Sequence, residues 1–288
     1  MPSTRATLIT QKQVTAFLKP RPHDSHKGMF GTVMVIGGAS GMVGAPLLAA
    51  RAALKMGAGS VHVGLLADHA PAVDMQQPEL MLHSGKTNLP ELDVIAIGCG
   101  MGHDLAAQKI LYETLKLNTA LVLDADALNI LALHTDLQAM VTSRTAATVI
   151  TPHPGEAARL LDCSTNDIQA ARTESAQQLA EKLHCSVVLK GENSVCVTSV
   201  GKIYLNKTGN PGMSSPGMGD VLTGMIAAFI AQGMDADRAL LLAVHLHGAA
   251  GDALAQQGIS IGMTASEVTD WARWVLNQWV SHSTSQQR

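Results

Sequence analysis

Short apolar runs at residues 32–36, 60–65, 93–97, 120–123, 148–150 and 187–189 alternate with segments of helical periodicity at 46–56, 104–117, 167–183, 221–232 and 238–256. A strand with one wet face alternates apolar and polar residues, so continuous runs point to strands covered on both faces. Strand then helix, repeated, predicts right-handed crossovers and a mainly parallel central sheet with helices on both faces, an α/β fold. One pair of runs departs from this pattern. Residues 194–198 and 202–205, separated by Ser199-Val200-Gly201, predict an antiparallel hairpin at one sheet edge. A closed eight-stranded barrel is the competing architecture, and the hairpin counts against it.

The 288-residue chain can fill such a core, being 47% hydrophobic with a mean hydropathy of +0.17. Aromatic residues supply only 3%, so Ala, Leu, Val, Ile and 14 Met must pack closely around 26 Gly. Charged residues make up 15% and the net charge is −3, which leaves no electrostatic footprint for nucleic acid or an anionic membrane. Cys99, Cys163, Cys185 and Cys196 form no C-x-x-C pair, and the first 19 residues contain no apolar signal core. No run reaches the roughly 18 apolar residues of a membrane span. These features predict a soluble, cytoplasmic protein with reduced thiols. No linker or charge block divides the chain, so residues 1–19 read as an N-terminal extension, 20–282 as a single domain and 283–288 as a polar tail.

Nearly every predicted strand runs into a loop rich in Gly, Pro or acid: Gly37-Gly38-Ala39-Ser40-Gly41, Gly98-Cys99-Gly100-Met101-Gly102, Asp124-Ala125-Asp126, Thr151-Pro152-His153-Pro154-Gly155-Glu156 and Lys190-Gly191-Glu192-Asn193. In an open parallel sheet these carboxyl ends share one edge, where ligands bind. Tight connections need Gly and Pro in any case, so the recurrence rather than any single loop points to a site.

The strongest segment is Asn210-Pro211-Gly212-Met213-Ser214-Ser215-Pro216-Gly217-Met218-Gly219-Asp220, which opens an apolar helical pattern. Backbone N–H groups at such a helix start, with the helix dipole behind them, cradle a phosphate. Asp220 in the first turn is then placed to take a proton from a hydroxyl attacking that phosphate. The plainer alternative is an ordinary helix start, with Ser215 as the cap and Pro216 at the first helical position.

Two nucleotide signatures fail. Gly85-Lys86-Thr87 lacks the earlier glycine of a phosphate-binding P-loop, Leu80 standing in its place, and Gly98-x-Gly100-x-x-His103 lacks the third glycine of the dinucleotide fingerprint. His245 and His247 lie two apart in a helical pattern, pointing about 200° away from each other, so helix packing explains them better than a shared metal. His153, held between two prolines with Glu156 three residues on, fits either a capped helix start or a ligand contact.

Taken in order, His26-Lys27-Gly28, Val35-Ile36-Gly37-Gly38, residues 41–45, Ile97-Gly98-x-Gly100, Leu123-Asp124-Ala125-Asp126-Ala127-Leu128, the T-P-H-P-G-E segment at 151–156, Val188-Leu189-Lys190-Gly191 and residues 210–224 resemble the ADP/ATP-dependent NAD(P)H-hydrate dehydratases, a branch of the ribokinase-like superfamily. The resemblance covers nearly the whole chain. It implies a ribokinase-like fold and an enzyme that uses ADP to dehydrate the S-form of hydrated NADH or NADPH, releasing AMP and phosphate. It also implies that Asp220 is the base, with the backbone of Gly217, Met218 and Gly219 as the anion hole. Lys190, Gly191, Glu192, Asn193, Ser194 and Gly219 would hold the nucleotide; Ala45, Gly100, His153 and Asp220 would meet the hydrated dinucleotide. The family further implies a homotetramer, and an epimerase interconverting R and S hydrates that is expected here on a separate chain.

Two departures stand out. Met218 occupies a position that is Ser or Thr in many members of the superfamily, which leaves only backbone donors there. The superfamily magnesium motif falls on His153-Pro154-Gly155-Glu156 with His in place of Asn, so Asp124 and Glu156 would hold Mg²⁺ through water. A small-molecule kinase of the same fold, of the hydroxyethylthiazole kinase type, and a non-catalytic nucleotide-binding sensor are the rival readings.

Overall fold

The computed structural model describes residues 6–83 and 91–285. Its strands are β1 (Thr7–Leu8), β2 (Thr32–Gly37), β3 (Ser60–Leu65), β4 (Met81–His83), β5 (Val94–Ile97), β6 (Ala120–Leu123), β7 (Thr148–Ile150), β8 (Ser186–Leu189), β9 (Val195–Val197) and β10 (Ile203–Leu205). They form one 10-stranded sheet in the order β1-β10-β9-β8-β7-β6-β5-β2-β3-β4. From β2 to β8 every pairing is parallel. The β9–β10 hairpin joins antiparallel at one end, and the two-residue β1 adds outside it, parallel to β10.

The helices are α1 (Gln11–Thr15), α2 (Gly44–Lys55), α3 (Leu105–Leu115), α4 (Ala125–Leu133), α5 (Thr135–Thr142), α6 (Pro154–Leu161), α7 (Thr165–Ala170), α8 (Arg172–Leu183), α9 (Met218–Ala231), α10 (Ala236–Gln256) and α11 (Ala265–Ser285). Successive strand residues divide between the two faces, as the period of two requires. Val33, Val35, Val94 and Val122 enter a core with α2, α9, α10 and α11, whereas Met34, Ile95, Ile97 and Leu121 enter a second core with α3 to α8. Both faces are thereby covered, which accounts for the unbroken apolar strand runs.

The segment expected to be one helix over 167–183 is two. The chain breaks at Ala171 (φ −136°, ψ 50°), and the new start sends the Arg172 guanidinium to the carbonyls of Leu189 (3.1 Å) and Lys190 (3.3 Å). These long-range contacts outweigh local helix propensity. Part of the N-terminal extension packs onto the domain through β1 and through Val14 of α1, which is fully buried. At the other end α11 continues to Ser285, so residues 283–285 of the expected tail are helical; 286–288 lie outside the described residues, as does Gly85-Lys86-Thr87. Among the described residues no helix is long and apolar enough to cross a membrane.

The strand order reverses at β2, which has β3 on one side and β5 on the other. Loops leaving β2 and β5 therefore meet: the Gly38 N–H donates to the Cys99 carbonyl (3.1 Å) and the Ala39 N–H to that of Gly100 (2.7 Å). Such a reversal opens a ligand crevice beyond the strand ends.

Candidate active site

The α9 helix carries the centre of the site. It is apolar on nearly every side and buried along its length, as expected of a helix packed within the core. Gly224 seats it against α2, where a Cβ would stand 1.9 Å from the Ala49 carbonyl oxygen. Its N-cap is Gly217, in the left-handed region at φ +88°, and no side chain caps the helix. The expectation that Ser215 caps this end is corrected: Ser215 Oγ donates instead to the Met263 carbonyl (2.7 Å). The first intrahelical bond runs from Val221 N–H to the Gly217 carbonyl. The N–H groups of Met218, Gly219 and Asp220 thus begin the helix without a side-chain partner, which is the arrangement that favours an anion.

Beneath this turn lies a chain of charges drawn from several strand ends. Asp124, at the end of β6 and 1% exposed, accepts from Lys190 Nζ through Oδ1 (2.7 Å) and from Thr223 Oγ1 through Oδ2 (2.8 Å). Lys190 Nζ also lies 4.0 Å from Oε2 of buried Glu156. Burial opposes the charge on Asp124, but Lys190 outweighs it and holds the carboxyl below its usual range. Burial likewise opposes the Lys190 ammonium, and Asp124 with Glu156 raises it nonetheless. Glu156 is pushed up by burial.

Asp220 differs. Burial and then the negative charge of Asp124 raise its pKa to about 7, while a hydrogen bond from the Cys99 thiol partly offsets them. Cys99, Asp124 and Asp220 bring ligand-type atoms within 4.8 Å of one another. With Asp124 already paired and the Cys99 thiol driven well up by burial, this cluster suits proton handling.

His153 makes the capped helix start that was one of the two readings offered by the sequence. As the N-cap of α6 its Nδ1 accepts from the Gly155 (2.9 Å) and Glu156 (3.4 Å) N–H groups, and its own N–H donates to Glu156 Oε2 (2.7 Å). It also borders a cavity of about 760 Å³. The cavity is lined by Lys190, Gly191, Glu192, Asn193 and Ser194, with Met218 and Gly219 at the α9 start. Sequence reasoning missed residues 206–209 and the α10 residues Val244, His247 and Gly248 among its other walls. The apolar helical pattern of α10 concealed the last three.

Ala45 and Gly100 lie together on the other side, in the crevice between the β2 and β5 loops, where a Cβ on Gly100 would stand 3.3 Å from that of Ala45. Asp220 is linked to the β5 loop through Cys99 and directly follows Gly219, which lines the cavity. A carboxylate raised to about 7, a helix start whose N–H groups lack a side-chain cap and a lysine-bearing cavity on this sheet are the features of a nucleotide enzyme of the ribokinase-like class.

Comparison with known proteins narrows the class. A family model described as NAD(P)H-hydrate dehydratase matches residues 33–272. The ADP-dependent (S)-NAD(P)H-hydrate dehydratase of Neisseria meningitidis is 41% identical, over 96% of this chain and 95% of its own length. The bifunctional NAD(P)H-hydrate repair enzyme of Coxiella burnetii is 37% identical over 95% of this chain, which spans 56% of that longer protein. The crystal structure of the ADP/ATP-dependent NAD(P)H-hydrate dehydratase of Bacillus subtilis, co-crystallised with ATP/Mg²⁺, superposes with a TM-score of 0.87 at 30% identity, covering 96% of this chain and 100% of that one. The chain belongs to the NAD(P)H-hydrate dehydratase family.

Proposed function

We propose that this enzyme dehydrates the S-form of hydrated NADH or NADPH to the dihydronicotinamide at the expense of ADP, releasing AMP and phosphate. The observation that carries the reading is Asp220, raised to about 7 in the first turn of a helix with no side-chain cap, directly after Gly219 of the cavity wall and hydrogen-bonded to Cys99 of the β5 loop. Hydroxide leaves a saturated carbon poorly and phosphate leaves well, so the reaction needs the substrate hydroxyl phosphorylated first. Asp220 takes the hydroxyl proton as the oxygen attacks the terminal phosphorus of ADP, and AMP departs. The lone pair of the adjacent ring nitrogen then expels phosphate, and loss of a proton from the neighbouring carbon restores the ring double bond. Lys190 and the backbone N–H groups of Met218 and Gly219 hold the charge on the transferring phosphoryl. A base near neutrality suits this role, being about half ionised at neutral pH yet basic enough to accept a proton.

Magnesium, when bound, neutralises phosphate charge. Asp124 and Glu156 already face Lys190, and Asp124 also accepts from Thr223. Their oxygens therefore fit a hydrated ion held through water rather than one ligated directly. The names of the Neisseria and Bacillus relatives support a nucleoside phosphate donor, and ADP is the donor proposed here. Free cysteines throughout the described residues support a cytoplasmic location, and family resemblance supports a homotetramer, which light scattering measures.

Incubation with the S-hydrate and ADP or ATP, following dihydronicotinamide absorbance together with AMP and phosphate, tests the reading. A phosphorylated organic product would establish the kinase alternative instead. Saturable ADP binding with no turnover would establish the sensor.

A further inference from the structure

Most polar side chains around the 760 Å³ cavity have partners within the protein. Asn206 binds the carbonyls of Thr208 (3.1 Å) and Val244 (3.5 Å), and Thr208 Oγ1 donates to the His245 carbonyl (3.0 Å). Among the described residues, two buried side-chain polar atoms have no hydrogen-bond partner: His247 Nε2 and Arg172 Nε. Both belong to this cavity's surroundings. His247 lines it, and Arg172 packs behind the Gly191 wall, its Nη1 3.0 Å from where a Cβ on Gly191 would stand. An unpaired buried polar atom is costly, and His247 Nε2, whose residue lines the cavity, points to a ligand that supplies the missing partner.

The neighbouring histidine shows what a packing role looks like. His245 Nδ1 pairs with Asn206 Oδ1 (3.1 Å), and its ring lies 6.0 Å from that of Trp279. His247, two residues on, faces the other way, into a cavity wall shared with Val244, Leu222, Met213 and Met218. An apolar wall around one buried, unpartnered nitrogen suits a flat heteroaromatic ring that packs on the wall and is read at one edge.

We infer that His247 hydrogen-bonds the nucleobase of the bound nucleotide and is a specificity-determining residue of this enzyme. The inference rests on the nucleotide-binding reading given above. The phosphate end of the cavity is already supplied by Lys190 and the α9 start. Burial, with Lys190 adding to it, pushes the His247 imidazole down to about 4, so it stays neutral and offers a hydrogen bond rather than a charge to its ligand.

Calorimetric titration with ADP, GDP and inorganic pyrophosphate, on the wild type and on His247→Phe and His247→Gln, tests this. One hydrogen bond to a neutral group predicts about 3- to 10-fold weaker ADP binding by His247→Phe, with pyrophosphate affinity unchanged. Discrimination between ADP and GDP falls by the same factor, and His247→Gln, which keeps a hydrogen-bonding nitrogen, recovers part of the loss. Ligand-free His247→Phe should melt no lower than wild type, because the orphaned atom is gone. Unchanged ADP affinity in both variants, or equal weakening of ADP and pyrophosphate, overturns the assignment. A large loss of ligand-free stability in both variants also overturns it, by returning His247 to helix packing. If the wild type fails to bind ADP, the underlying nucleotide reading falls, and this inference with it.

Discussion

Lys190 Nζ stands 2.7 Å from Oδ1 of Asp124, and this pairing separates the fates of two neighbouring carboxylates. Asp124 is held ionised by its partner, whereas Asp220, lacking a cation so close and feeling the charge of Asp124, is raised to about 7. Two acids with divergent pKa values in one site fit the proposed division of labour, in which Asp124 fixes the lysine and Asp220 takes the proton.

Asp220→Asn removes the base while keeping the shape of the side chain. Turnover should fall by about 10²–10⁴-fold with ADP affinity little changed. The folded pKa of Asp220 is raised from the ordinary carboxyl value to about 7, so stability is full below that ordinary value, falls as pH rises from it to about 7 and is level above. The Asn variant has no such loss, and its melting temperature should gain on wild type between about pH 4 and pH 7 and then hold that gain. Near-normal turnover in the folded variant would remove Asp220 from the chemistry.

The same titration should govern the rate. Values of kcat/KM are expected to rise with pH along an acid limb centred near 7 and then level off. Asp124→Asn deletes a negative neighbour that raises Asp220, so the limb should move to lower pH. A pH–rate profile with no inflection between about 5 and 8 contradicts this.

A side chain at residue 219 tests the phosphate cradle directly. The Gly219 backbone is helical, so the fold itself does not demand glycine, yet a Cβ there would stand 3.1 Å from Lys190 Nζ and 3.7 Å from Asp124 Oδ2. Gly219→Val should lower kcat by about 10²–10³-fold, the usual cost of losing one preorganised donor. If the folded variant keeps wild-type kcat and ADP affinity, the loop holds no phosphate.

Lys190→Met strands Asp124 as a buried, unpaired charge, which typically costs about 3–5 kcal/mol. The Asp124 pKa is depressed in the folded state, so the stability supplied by the pair is present above the unfolded carboxyl value and disappears as pH falls through the folded one. Chemical denaturation should therefore show a wide gap between wild type and variant near pH 7 that narrows in acid. A gap independent of pH would contradict the ion-pair origin of the loss.

Much of this protein was legible in local pattern. Strands at 60–65, 120–123 and 148–150 follow from β-branched apolar runs, because a strand buried on both faces has no other composition available. The glycine-rich start of α9 with Asp220 in its first turn was legible for a similar reason: left-handed backbone and exposed N–H groups demand particular residues at adjacent positions. Short or weakly patterned elements were not. The two-residue β1 and three-residue β4 exist only through their neighbours in the sheet, and α4 and α5 are short with weak apolar asymmetry; α11 was overlooked although Val268, Ala272, Val275 and Trp279 form a buried stripe at helical spacing.

The sequence by itself determined the α/β architecture, the loops at the strand ends and the identity of the candidate base, since each depends on residues close together in the chain. Only the tertiary structure decided how those residues act on one another. Lys190 pairs with Asp124 across 66 positions and Thr223 meets Asp124 across 99, contacts set by sheet order rather than by local preference. The same packing raises Asp220, reveals that Gly217 rather than Ser215 begins α9, and brings His247 of an apolar helix to the wall of the cavity beside Lys190. Burial and electrostatic environment are properties of the assembled neighbours, and no single segment of the chain contains them.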